Sequence, residues 1–130
     1  METIINFIGH FHPVLVHLPI GILLFAILMQ IISKWKKFDQ LTNALPFAYL
    51  LGAISAVFSC LTGLALANNG DYDADLIFKH QWLGIATAIV GGISYFAYQK
   101  ESKFFGAILI VLSTLIIITG HYGGSLTHGE

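Results

Sequence analysis

Four long apolar stretches, residues 13–32, 44–67, 78–98 and 104–120, dominate the chain. Each approaches the roughly 20 residues that a helix needs to cross a hydrocarbon core. Polar and turn-forming clusters separate them: Lys34, Lys36 and Lys37 after the first, Asn68-Asn69-Gly70-Asp71 after the second, and Gln99-Lys100-Glu101-Ser102-Lys103 after the third. Links this short make neighbouring helices antiparallel. The pattern therefore predicts an all-α, integral membrane four-helix bundle made of two antiparallel helical hairpins in a single domain.

Charge then sets an orientation. Lys34, Lys36, Lys37, Lys100 and Lys103 fall in the first and third links, and Lys79 alone lies on the other side. Cytoplasmic loops carry the excess of positive residues, which places both termini in the periplasm of a bacterial inner membrane. The outer side also carries Glu2, Asp71, Asp73, Asp75 and Glu130, while Trp35 and Trp82 fall near opposite interfaces. The first segment follows Met1-Glu2-Thr3 without a positive n-region or a small-residue cleavage site, so it is expected to stay as a mature helix.

Composition narrows the function. The 130 residues are 56% hydrophobic and 10% charged, more apolar surface than a soluble core can hide. A net charge of −1 and the absence of arginine argue against a nucleic-acid partner. Cys60 is the single cysteine, so no disulfide forms within the chain and no CxxCH attaches a c-type haem.

All six histidines are expected at the outer face: His10, His12 and His17 before or early in the first span, His80 opening the third, and His121 and His128 closing the fourth. The deeper ones, His17, His80 and His121, are the candidate site, because polar groups within a span usually face the bundle interior. His17-Leu18-Pro19-Ile20-Gly21-Ile22 and His80-Gln81-Trp82-Leu83-Gly84-Ile85 share the pattern H-x-x-x-G-I. Each glycine then lies one turn below its histidine, leaving room for a flat cofactor. Two hairpins related by an axis along the membrane normal would set His17 opposite His80.

Facing neutral imidazoles are the axial pair of a low-spin b-type haem, with Gly21, Gly84 and Gly91 opening space for the porphyrin and His121 as an alternative ligand or proton acceptor. A copper or zinc site is the inorganic rival, drawing on His12 with His10 and His17. The bland alternatives stand beside both: interfacial histidines that cap helices, and small residues such as Ser55, Ser59, Gly63 and Ala67 that only let helices pack closely.

Other features carry less. Pro19 cannot donate to the carbonyl of Leu15, which predicts a bend beside His17. Asp71-Tyr72-Asp73-Ala74-Asp75 lacks the ligand pattern of a calcium loop and reads as a link complementing the positive end of the third helix. Residues 121–130 are glycine-rich, too flexible to favour a helix, and are expected as a periplasmic linker or a folded-back cap. Ser125 near His121 and His128 has no recognisable triad context, and no acidic residue inside a span suggests transport.

The segments His12-Pro13-Val14-Leu15-Val16-His17-Leu18-Pro19-Ile20-Gly21 and G-H-Y-G-G-S-L-T-H-G at residues 120–129 resemble a bacterial membrane-domain family labelled domain of unknown function 2231. That resemblance implies a membrane module associated with c-type cytochrome or Rieske domains. The expected function is a membrane-embedded haem b module passing electrons between quinol and a periplasmic redox partner such as a c-type cytochrome, among membrane lipids and within a larger complex or homo-oligomer. A cofactor-free anchor or accessory subunit of a redox complex is the alternative.

Overall fold

The computed structural model describes residues 2–129, with Glu2 described by its backbone only. The expectations placed on Glu130 and on the Glu2 side chain fall outside the described residues. Among these residues the chain is mostly helical, without strands. In order come α1 (Glu2–Gly9), α2 (His12–Leu15), α3 (His17–Ile32), a 3-10 helix (Lys36–Asn43), α4 (Leu45–Ala67), α5 (Ala74–Gln99) and α6 (Phe105–His128). Four helical stretches, Thr3–Ile32, Leu45–Ala67, Ala74–Gln99 and Phe105–His128, are long and apolar enough to cross a membrane.

The first stretch is longer than the hydropathy pattern indicated, and it is broken twice. Pro13 brings no N–H to the first turn of α2, and Pro19 brings none to the Leu15 carbonyl. That carbonyl is not orphaned: Ser59 Oγ on α4 donates to Leu15 O at 3.0 Å. A hydroxyl from the neighbouring helix thus replaces the hydrogen bond that proline removes, as helix breaks in apolar surroundings require.

At the start of α5, Asp73 accepts from the N–H groups of Asp75 (3.1 Å) and Leu76 (2.9 Å), so the acidic link caps the helix as its charge suggested. The C-terminal segment differs from expectation. Instead of a linker or a folded-back cap, residues 121–128 continue α6, which ends at Gly129 with a left-handed φ of 72°. Gly123 lies directly against the His80 ring on α5, so a close tertiary contact that a glycine eases outweighs its poor helix propensity.

The helices α3, α4, α5 and α6 pack in sequence order, and the outer two touch only slightly. Leu23, Ala26, Met29, Leu45, Tyr49, Leu112 and Ile116 form the core that joins them. Elsewhere the interior is small or hydroxylated, with Gly52, Ala53, Ala56, Ser59, Thr62, Thr87, Gly91 and Ser94 buried. Large apolar side chains such as Phe25, Phe58, Phe96, Ile110 and Ile117 point outward. That distribution is the one expected where lipid is the solvent, because close helix approach needs small residues and the exterior meets hydrocarbon.

Candidate functional site

Toward the end of the bundle opposite the lysine-bearing links lies a cavity of about 500 Å³, bounded by α2, α3, α4, α5 and α6. Most of its wall is apolar. Its size falls within the roughly 300–1,000 Å³ usual for small-molecule and cofactor sites. Four histidines reach it: His12, His17, His80 and His128.

Two of them form a pair. His12 and His80 face each other edge to face, with ring centroids 6.1 Å apart and planes inclined at 77°. Both are half-buried. The expected partner of His80 was His17, and the structure supplies His12 instead, because α1 and α2 carry His12 over the face of α4 while His17 stands past the break, exposed. Its Nδ1 donates back to Pro13 O at 2.7 Å.

The surroundings of the pair fix its tautomers. Thr62 Oγ1 gives its one proton to Ser59 O at 3.0 Å, so toward His12 Nδ1, 3.2 Å away, it is the acceptor and His12 the donor. His80 Nδ1 lies 3.1 Å from Thr119 O, a carbonyl that only accepts. Both rings therefore carry their proton on Nδ1, an assignment read from the network of partners. Each Nε2 is left as a lone pair, and among the described residues neither has a hydrogen-bond partner.

Glycine admits each ring. A Cβ on Gly63 of α4 would sit 2.8 Å from His12 Cε1, and one on Gly123 of α6 would sit 3.0 Å from His80 Cε1. Gly63 was expected only to ease helix packing, yet it is the floor beneath His12. The glycines of the H-x-x-x-G-I repeat play lesser parts. Gly21 is exposed with nothing within 4 Å of where a Cβ would be, and Gly84, on the cavity wall, looks at Cys60 Sγ from 3.8 Å. Gly91 is buried against Ala53, deep of the cavity, where it serves close packing of α4 and α5.

The remaining histidines divide. His128 lines the cavity while its Nδ1 donates to Gly124 O at 3.0 Å. His121 is exposed beside the Tyr122 ring and is not part of the cavity wall. His10 is exposed and bonds to Asn6 O. Among the described residues no three His, Cys, Asp or Glu side chains gather as a metal-holding group. A signal for the His12–His80 contact was present in the sequence. His12 and His80 are each followed by leucine three positions on, and each is bonded by a threonine that precedes a glycine on the following span, Thr62 on α4 and Thr119 on α6.

The fold and site together are those of a helical bundle suited to a membrane, with an imidazole pair on the wall of an apolar cavity. No family model, curated protein or solved structure matches the chain.

Proposed function

We propose that this chain is a membrane electron-transfer module that holds b-type haem between His12 and His80 and passes electrons between quinol and a redox partner, such as a c-type cytochrome. In this reading both termini and the histidine end face the periplasm of a bacterial inner membrane, as the lysine distribution favours. The observation that carries the reading is the His12–His80 pair itself, with both Nδ1 protons donated and both Nε2 lone pairs free.

The donor set suits haem. His12 and His80 would be the residues to hold the haem iron, their ring centroids 6.1 Å apart and leaving room for one metal ion between the two Nε2 atoms. Copper or zinc sites draw three or four donors from the protein, and no third ligand gathers with these two among the described residues. Haem would ask the protein for no more than the two imidazoles this pair supplies. Bound there, its iron would supply one-electron chemistry.

The protein's contribution is positional. Thr62 and the Thr119 carbonyl hold the rings and set their tautomers, the kind of outer support that ligating histidines usually have. Gly63 and Gly123 let the rings lie against the helices, and most of the surrounding wall is apolar.

The test is an absorption spectrum of detergent-purified protein, oxidised and then dithionite-reduced, with the pyridine haemochrome for stoichiometry. Stoichiometric haem b is expected, lost in His12→Ala and in His80→Ala and kept in His17→Ala and His121→Ala. A folded protein that stays colourless when supplied with haem overturns the reading. Loss in His17→Ala with retention in His12→Ala overturns the choice of ligands.

A further inference from the structure

The cavity has a side as well as an end. The outer helices α3 and α6 touch only slightly, meeting in the core around Leu23, Leu112 and Ile116. Nearer the histidine end, Pro19 and Ile20 on α3 and Thr119 and Gly120 on α6 all line the cavity. A Cβ on Gly120 would have nothing within 4 Å. Leu18 and Ile117, beside these positions, are exposed apolar side chains. In a membrane, this gap would face the acyl chains.

The polar groups on that side of the cavity have an unusual property. Those brought by α2, α3 and α6 are His12, His17, Thr119, Thr127 and His128. His12 donates to Thr62, His17 to Pro13 O and His128 to Gly124 O. Thr119 donates to Leu115 O and Thr127 to Gly123 O. Every side-chain proton of the neutral groups is already given away, and the imidazole Nε2 lone pairs remain. Toward the gap, the wall can accept hydrogen bonds but has none to offer. A ligand that lodges at the gap gains by bringing its own O–H, because a carbonyl-only molecule would lose its water partners and find no side-chain donor on α2, α3 or α6; Tyr72 and Gln81, which also line the cavity and can donate, belong to the α4–α5 link and to α5.

We infer that the gap between α3 and α6 is a lateral portal for a lipid-soluble hydroxyaromatic molecule, a quinol, whose hydroxyl donates to His17 Nε2. The inference rests on the proposed quinol-linked function and gives it a site: His12 and His80 face the cofactor, and His17, exposed on the same cavity, is left for the substrate. His17 is then a binding residue and not an iron ligand. An apolar lining admits the ring and prenyl tail, and the acceptor-only side formed by α2, α3 and α6 favours the reduced, hydroxyl-bearing form over the quinone at the gap.

The experiment uses the purified full chain in lipid nanodiscs with two probes, a prenylated phenol and its methyl ether, which differ in the O–H alone. Equilibrium binding of each is measured for wild type, His17→Phe and His17→Gln. The phenol is expected to bind roughly three- to tenfold more tightly than the ether, the difference one net hydrogen bond makes. His17→Phe should erase that preference with the haem spectrum unchanged, and His17→Gln, whose side-chain oxygen accepts, should restore part of it. Equal binding of the two probes to wild type, or a preference that survives His17→Phe, overturns the portal assignment. A colourless protein that keeps a His17-dependent preference for the phenol sinks the haem reading and leaves the portal standing.

Discussion

Gly63→Ala is the sharpest probe of the histidine pair. The added methyl would lie 2.8 Å from His12 Cε1, 3.2 Å from its Nδ1 and 3.3 Å from its Nε2. Ordinary van der Waals contact between such atoms begins at about 3.5 Å, so the ring must withdraw by roughly 0.7 Å or turn. The Nδ1–Thr62 Oγ1 distance is already 3.2 Å, at the long end for such a bond, and a movement of that size takes it out of range. Because the obstacle is the edge of a side chain and not backbone, the fold can yield, and the stability cost should sit near the lower end of the about 1–3 kcal/mol typical of overpacking. The proposed haem ligation would tolerate far less, since it would depend on where Nε2 points. Haem content by pyridine haemochrome and unfolding in mixed detergent micelles should therefore part company: haem bound per chain falls at least tenfold while unfolding shifts by about 1 kcal/mol. Gly21→Ala, which meets nothing within 4 Å, and Gly84→Ala, with only Cys60 Sγ at 3.8 Å, are the controls and should leave both readouts unchanged. Full haem in Gly63→Ala, or loss in Gly21→Ala, would refute the reasoning.

Two further outcomes follow from the hydrogen bonds. Thr62→Val removes the acceptor that fixes the His12 tautomer and should weaken haem binding by about 10–100-fold, whereas Thr119→Val keeps the backbone carbonyl that holds His80 and should weaken it far less; titration of the apoprotein with haem measures both. Tyr49 is fully buried and its hydroxyl has no partner among the described residues, so Tyr49→Phe should be neutral or stabilise by up to about 1–3 kcal/mol in a detergent unfolding assay.

Much of the scaffold was legible because hydropathy is a local signal. The spans at residues 44–67 and 78–98 differ from α4 and α5 by a few residues at their ends, and the acidic link was rightly seen to complement the start of α5. What was missed came from contacts between helices. The sequence shows that Pro19 leaves the Leu15 carbonyl without its helical donor, but only the packing of α2 on α4 shows that Ser59 replaces it. Glycine-rich residues 121–128 argue locally for a linker, and the argument fails because Gly123 sits under His80. His12 was undervalued for a related reason. It lies outside the hydrophobic stretch as hydropathy draws it, while the helical course of residues 2–15 brings it to the same cavity as His80. The repeat H-x-x-x-G-I selected His17, which shares the cavity but not the pairing.

The division of the site between the two hairpins has a thermodynamic consequence. His12, Thr62 and Gly63 belong to the first half of the chain, and His80, Thr119 and Gly123 to the second, so each half arrives with one imidazole already braced. Neither half needs the other to shape its ring; the two need each other only to bring the rings together. Whatever grips both Nε2 atoms therefore acts as a fastener across the seam, and its occupancy and the docking of the hairpins become one linked equilibrium, each tightening with the other.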